Sequence, residues 1–398
     1  MKIVIAPDSF KESLSAPEVA KALAEGVLTV LPDAEVDLCP LADGGEGTVA
    51  ALVAATGGAF QATDVYGPLG NPMRARFGML GGDEDPGLPG QLGLLAAETR
   101  SEGESDSAGD VAVIEMAAAS GLALVKPDLR DPLRTTTFGT GQLILAAIEA
   151  GAREIILGLG GSATCDGGAG AAQALGVTFL DADGELLVCG LAGGGLKDIA
   201  RIDTSDLDPR LEGVRIRVAC DVRNPLTGLE GAAAVYGPQK GATPEGVKQL
   251  EEGLKHYAGI IREQLGVEIE TLPGAGAAGG LGAGLVAFAG ARLEGGLDII
   301  SEAVHLPRRL HGADLVLTGE GLLDASSRFG KATVGVAKLA AGQNIRTVCI
   351  PGQATDDAPA ELFHEIRPLV NEETPVEHAM ADPAELLKAR AAAVTSSL

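Results

Sequence analysis

The sequence predicts an α/β fold of two domains with a largely parallel sheet. Short apolar runs of strand length alternate with longer helical stretches. Polar, Gly-flanked turns recur where those runs end. The chain has 398 residues, more than one hydrophobic core comfortably organises.

Residues 2–6 (KIVIA) read as a buried strand. A helix follows from Ser15 to Leu31, with Ser15 as its cap, Pro17 in the first turn and Glu18 three residues past the cap. Residues 35–39 form a second strand, a Gly-rich turn follows, and Thr48 to Ala55 continue as a helix. The pattern then shifts. Gln61–Val65 and Met73–Gly78 read as strands around the turn Gly67-Pro68-Leu69-Gly70, suggesting that a second domain begins. Residues 81–110 are rich in Gly, Pro, Ser and acid and carry one basic residue, Arg100, so a disordered surface insertion is expected. Further strands are expected at 111–115, 154–158, 214–220, 313–318 and 345–350. Helices are expected at 139–150, 167–175, 244–265 and 331–341, with a last one from Pro383 to about Val394.

Composition excludes several classes. Lys plus Arg is 30 against 55 for Asp plus Glu, a net charge of −25. Nucleic-acid binding needs a basic stripe, and anionic lipid would repel this surface, so neither partner is expected. Aromatics are 3% and Trp is absent, which argues against stacking on bases or glycans. The five cysteines form no CxxC pair, which fits free thiols in a reducing cytoplasm. The five histidines show no zinc spacing. Residues 272–291 carry no charge, but seven of them are Gly and one is Pro, a composition unsuited to a membrane span.

Five turns concentrate the chemistry. They are Pro7-Asp8-Ser9-Phe10-Lys11, the 43–48 segment DGGEGT, the 160–168 segment GGSATCDGG, the 219–225 segment ACDVRNP and the 318–324 segment TGEGLLD. Each follows an expected strand, the end at which open α/β sheets bind ligands. Carboxylates there suit metal–phosphate coordination or a general base, and Gly admits close approach of backbone N–H groups to an anion. Turn chemistry alone explains any one of them, because Asp and Gly are ordinary turn and cap residues. Five at one end of the strands ask for more. No GxxxxGK[ST] phosphate loop, protein-kinase signature or GxSxG elbow is present. Gly274-Ala275-Gly276-Ala277-Ala278-Gly279 satisfies GxGxxG after a possible strand at 267–272, with Glu294 about twenty residues on. Pro273 interrupts the junction, and Glu294 does not look like a strand end, so a dinucleotide site is disfavoured.

Read in order, the segments KIVIAPDSFKESLSA (2–16), ADGGEGT (42–48), IEMAAASGLALV (114–125), TTTFGTGQLI (135–144), GGSATCDGGAGAAQALG (160–176), ACDVRNPLTG (219–228), YGPQKGATPE (236–245), PGAGAAGGLGAG (273–284), TGEGLLD (318–324) and FGKA (329–332) resemble the bacterial glycerate kinase family of glycerate 2-kinase type. The resemblance implies ATP-dependent phosphorylation of D-glycerate with Mg2+. It also implies a Rossmann- or flavodoxin-like parallel-sheet domain with a mixed α/β domain inserted in it and the active site in the cleft between them. Residues 1–60 plus 285–398 would form the first domain and 61–284 the second. The chain departs from the family at Leu322, where Arg is usual, and at Cys165, Arg223 and Ser326. A catalytically weakened ATP- or carboxylate-binding protein on the same fold is the alternative.

Phosphoryl transfer needs positioning, charge neutralisation and a group to orient the attacking hydroxyl. The candidates are Lys11 on the transferring phosphate with Asp43 and Asp324 at the hydroxyl, and Glu46 with Asp324 on the metal. Asp8, Ser162, Asp166, Asp221, Arg134 and Lys240 are candidates for the substrate. Gly44, Gly45, Gly279, Gly280, Glu320 and Lys331 are candidates for the nucleotide. The residues do not rank the carboxylates as base, and a monomer or homodimer is expected.

Overall fold

The computed structural model describes residues 1–11, 13–82, 108–328 and 331–398. The chain opens with strand β1 (Lys2–Ile5), crosses through the helix Ala16–Val30 and returns as β2 (Glu35–Leu38). The helix starts where the sequence places it. Ser15 N–H donates to the Glu18 carboxylate at 2.8 Å, and Pro17 occupies the first turn, where its missing N–H costs nothing. Its apolar face, including Val19, Leu23 and Val27, packs in one cluster with Leu387, Ala391 and Val394 of the final helix, Pro383–Ser396. Truncating Leu23 to Ala would cost roughly 2–5 kcal/mol there.

After the helix Thr48–Thr56 the chain builds a second sheet from β3 (Ala59–Tyr66), β4 (Pro72–Gly81), β5 (Ala108–Glu115) and β6 (Glu154–Gly158). A small antiparallel pair, β7 (Thr178–Leu180) and β8 (Arg201–Asp203), stands apart, and β9 (Arg215–Ala219) and β10 (Arg292–Glu294) complete the sheet. Its order is β10-β9-β6-β5-β4-β3, parallel from β10 to β5 and antiparallel through β4 and β3. The chain then returns to the first sheet as β11 (Leu315–Thr318), passes through β12 (Leu322–Leu323), and adds β13 (Arg346–Cys349), β14 (Gln353–Ala354) and β15 (Glu365–Ile366). That sheet is entirely parallel, in the order β15-β13-β11-β1-β2. Counted along the sheet's own strands this is 2-1-3-4-5, the flavodoxin-like order, whose crevice opens between β1 and β11.

One core joins the sheets. Val4 and Val316 of the parallel sheet, Val113 and Ile156 of the mixed sheet, Leu52 of the helix Thr48–Thr56 and Ile299 of the helix Gly296–Ala303 belong to one buried cluster. Fully burying each such side chain contributes about 1.5–3 kcal/mol. Arg217 on β9 adds a polar tie, reaching Glu294 on β10 at 2.7 Å, Glu302 at 2.9 Å and Glu154 on β6 at 3.3 Å.

The α/β class holds, but the second sheet is mixed. The expected strand at 267–272 does not form. Glu268 there accepts from Glu270 N–H at 2.8 Å, and both carboxylates face Arg262. Glu294 does end a strand, and Arg217 occupies its carboxylate, so no ribose-binding acid stands behind GxGxxG. The low-complexity segment is narrower than its composition suggests, because Gly81 closes β4 and residues 108–110 open β5. The reading of 83–107 as disordered lies outside the described residues. The strands of the mixed sheet run from Ala59 to Glu294, so β10 falls beyond the expected 61–284 span. Among the described residues, no helix is long and apolar enough to cross a membrane.

Candidate active site

A cleft of about 440 Å³ opens at the C-terminal ends of β1, β11 and β13. Asp8, Ser9, Phe10 and Lys11 come from the turn after β1, and Glu320, Gly321 and Leu322 from the turn after β11. Asp43 and Lys331 complete its charged side. The other side is apolar and comes from the C-terminal segment, from Leu369 to Pro383.

The carboxylates are held at different depths. Asp8 is 7% exposed and accepts from Ser9 N–H at 2.6 Å. Burial, with Asp43 and Glu320 beside it, pushes its carboxyl up to about 7 despite Ser9 N–H and the Lys11 charge. Glu320 is also buried, and burial pushes it up as well. Lys331 Nζ opposes that shift from 2.7 Å off Glu320 Oε2, and Ser327 opposes it more weakly. The other oxygen, Oε1, is buried without a hydrogen bond. Asp43 Oδ1 accepts from Gly45 N–H at 3.1 Å, which shapes the turn while the side chain still lines the cleft.

The Gly-rich segments serve the joint between the sheets. Gly44 has φ +83°, and a Cβ there would lie 2.9 Å from that of Ala219. A Cβ on Gly158 would come within 2.5 Å of Gly44 O, and one on Gly160 within 2.7 Å of the Gly45 Cα. These glycines let the 43–47 turn seat against the strand ends of the mixed sheet. Glu115, at the end of β5, reaches across to accept from Val49 N–H at 2.8 Å, capping the helix behind that turn. Burial raises its carboxyl, while Val49 and Gly47 N–H groups pull the other way.

Several expected site residues stand elsewhere. Asp166 is wholly buried and accepts from Thr137 N–H and Oγ1 at 2.7 Å each, Gly168 N–H at 3.1 Å and Gly170 N–H at 3.3 Å. It pins the starts of the helices Phe138–Glu149 and Ala169–Ala174 and has no accessible face for a substrate. Lys240 is buried too, with Nζ 2.7 Å from Thr164 O, and burial pulls its amine down to about 8. Gly279 and Gly280 are buried against the 164–167 loop, where added Cβ atoms would collide with Thr164 O and Gly167. They line no part of the cleft.

Asp324 Oδ1 accepts from Ser326 N–H at 2.9 Å and from its hydroxyl, capping the turn Ala325–Arg328. The hydroxyl bond foremost lowers its carboxyl. Asp324 is absent from the cleft lining, and its Oδ1 lies 3.8 Å from Nζ of the lining residue Lys331. Ser162 is buried and bridges Gly121, while Arg134 and Glu46 are exposed beyond the cleft lining. Asp221 accepts from Gly296 N–H at 2.8 Å. Burial raises its carboxyl, and the Asp43 charge adds to the rise.

Comparison with known proteins places the chain in a family. The family model described as "Glycerate kinase family" matches residues 3–398. The chain belongs to the glycerate kinase family. It is 49% identical over 357 residues to the glycerate 2-kinase of Escherichia coli (strain K12), covering 90% of this chain and 86% of that protein. It is 46% identical over 401 residues to the glycerate kinase of Bacillus subtilis (strain 168), covering 100% and 98%. A crystal structure of a Salmonella typhimurium LT2 protein assigned as glycerate kinase 2 superposes with a TM-score of 0.86 at 45% identity, covering 100% of this chain and 98% of that one.

In this glycerate kinase family member, the structure brings Asp8, Lys11, Asp43, Glu320 and Lys331 together. Leu322 stands 42% exposed at the junction with the apolar side. Sequence reasoning missed Glu115, whose position at a strand end before Met116 was the available signal. It also missed the wall built by the C-terminal segment, which carries no charged signature.

Proposed function

We propose that this kinase transfers the γ-phosphoryl group of ATP to the 2-hydroxyl of D-glycerate, with Asp8 as the general base. The observation that supports this most is a buried Asp8 carboxyl raised to about 7 at the crevice between β1 and β11. A base poised near neutrality ionises at working pH and still accepts a proton readily. Asp8 takes the hydroxyl proton as the oxygen attacks phosphorus. Lys11 neutralises charge on the phosphoryl oxygens, and Lys331 extends positive charge along the phosphate chain while its bond to Glu320 holds it in place.

Mg2+ fits the donors present, though no cluster of three or more His, Cys, Asp or Glu among the described residues forms a metal cage. Magnesium takes one or two carboxylates and fills its shell with phosphate oxygens and water. Asp43 and the unpartnered Glu320 Oε1 are the hard oxygen donors that would hold it. There it would neutralise β- and γ-phosphate charge. The inserted domain is proposed to run from Gly58 to Gly295, which gathers all strands of the mixed sheet.

A coupled ADP-release assay with D-glycerate tests the reading. Turnover should depend on D-glycerate, and kcat/KM should rise to a plateau above about pH 7. ADP release that ignores glycerate, or an Asp8→Asn variant with the wild-type profile, would contradict it.

A further inference from the structure

The charged side of the cleft accounts for phosphates and for a small polar acid, but the apolar side remains without an occupant. Val376 is 45% exposed and Met380 52%, and together with Leu322 they bare three large apolar side chains in one place. Val376 and Met380 are four residues apart on the helix Val376–Ala381 and so share a face. Leu369, Val370 and Pro383 extend the same wall. Glycerate is a three-carbon acid with three oxygen-bearing carbons and has no apolar surface to bury there. A nucleoside triphosphate has the cleft's own polarity, a flat apolar base at one end and a charged chain at the other. Ligand pockets commonly combine such apolar walls with a few orienting polar groups. Gln353, exposed on β14 at the cleft, supplies an amide with both a donor and an acceptor for a purine edge.

We propose that the wall formed by Leu322, Leu369, Val370, Val376, Met380 and Pro383 is the purine subsite for the phosphoryl donor. This rests on the kinase reading and sets the direction of the donor in the cleft. The base lies toward the C-terminal segment, and the phosphate chain runs past Lys331 toward Lys11 and Asp8. Leu322 at the junction then packs on the ribose–base end, which makes an apolar residue useful at that position.

The experiment compares wild type with Met380→Glu and Val376→Glu, both at exposed positions that leave the core intact. Each variant should raise the KM for ATP about tenfold or more, since a buried carboxylate against the base forfeits at least that factor. The KM for glycerate, and kcat at saturating ATP, should stay within about twofold. Adenosine, which has no phosphates, should inhibit wild type competitively against ATP and lose that effect in both variants. An unchanged KM for ATP would overturn the assignment. So would a rise confined to the KM for glycerate, or a change of oligomeric state with unaltered ATP kinetics, which would mark the wall as a contact with a second copy. If wild type releases no glycerate-dependent ADP, the kinase reading fails. Calorimetric titration of adenosine into wild type and Met380→Glu then still decides the subsite, binding lost in the variant supporting it and no binding to wild type rejecting it.

Discussion

Replacing Asp8 with Asn should trade activity for stability, and the exchange should follow pH. Asp8 is 7% exposed, beside Asp43 and Glu320, and its carboxyl rises from an ordinary 3.8 to about 7. A rise of roughly three pKa units corresponds to about 4 kcal/mol at 1.36 kcal/mol per unit. The folded chain holds this proton more tightly than the unfolded chain, so stability falls as pH climbs from about 4 to about 7. Asparagine mimics the protonated acid without the charge. Asp8→Asn should therefore be more stable than wild type by up to about 4 kcal/mol at pH 8, and by only about 1.5 kcal/mol at pH 5. Urea unfolding at the two pH values reads this difference. Turnover should fall roughly 100- to 10,000-fold, because the base is gone. A stability gain equal at pH 5 and pH 8 would refute the raised carboxyl, and near-native turnover would refute its role as base.

Three further outcomes follow from the geometry. Lys11→Met should lower kcat on the order of 100-fold with the unfolding midpoint unchanged, since Lys11 is exposed in the cleft; a midpoint shift with normal kcat would make it a structural residue. Glu115→Ala should cost about 1 kcal/mol of stability by uncapping the helix Thr48–Thr56, and should lower kcat by loosening the 43–47 turn. Glu115→Gln keeps an acceptor and should restore most of both, whereas equal losses in the two variants would mean that the charge, not the cap, matters. Replacing residues 83–107 with Asn-Gly should change unfolding free energy by under about 1 kcal/mol and leave turnover intact, because Gly81 and Ala108 are paired across antiparallel strands; an unfolded or inactive variant would assign the segment a role in the body.

The sequence disclosed the elements whose signals are local. The strand at 154–158 carries the apolar run Ile155-Ile156-Leu157, and the helix Pro244–Leu265 opens with the Thr243 hydroxyl accepting from Gly246 N–H as its cap and Pro at the first position. It concealed β10 and the helix Gly296–Ala303, because Gly295-Gly296 reads as a loop although it is where Asp221 meets the helix start. The strand ends that line the cleft were legible, whereas the depths at which their carboxylates sit were not. Asp8 and Asp166 both sit in Gly- or Ser-bearing turns after strands, yet one lines the cleft and the other caps two helix starts in the interior. Lys11 and Lys240 diverge in the same way. Depth is set by neighbours distant in sequence, here Asp43 and Glu320 for Asp8 and Thr164 for Lys240, and turn composition carries no record of them. No local signal singled out Val376 and Met380, and only the assembled cleft shows that they stand bare along its wall.

Phosphorus NMR of a reaction containing the purified chain, ATP, Mg2+ and D-glycerate tests the central claim most directly. The account predicts that the γ-phosphate resonance is consumed in step with the growth of a phosphomonoester on carbon 2 of glycerate, split by a single carbon-bound proton, and that Asp8→Asn slows both together. Loss of γ-phosphate to inorganic phosphate alone would contradict phosphoryl transfer to glycerate, and a resonance split by two protons would place the transfer at the 3-hydroxyl instead.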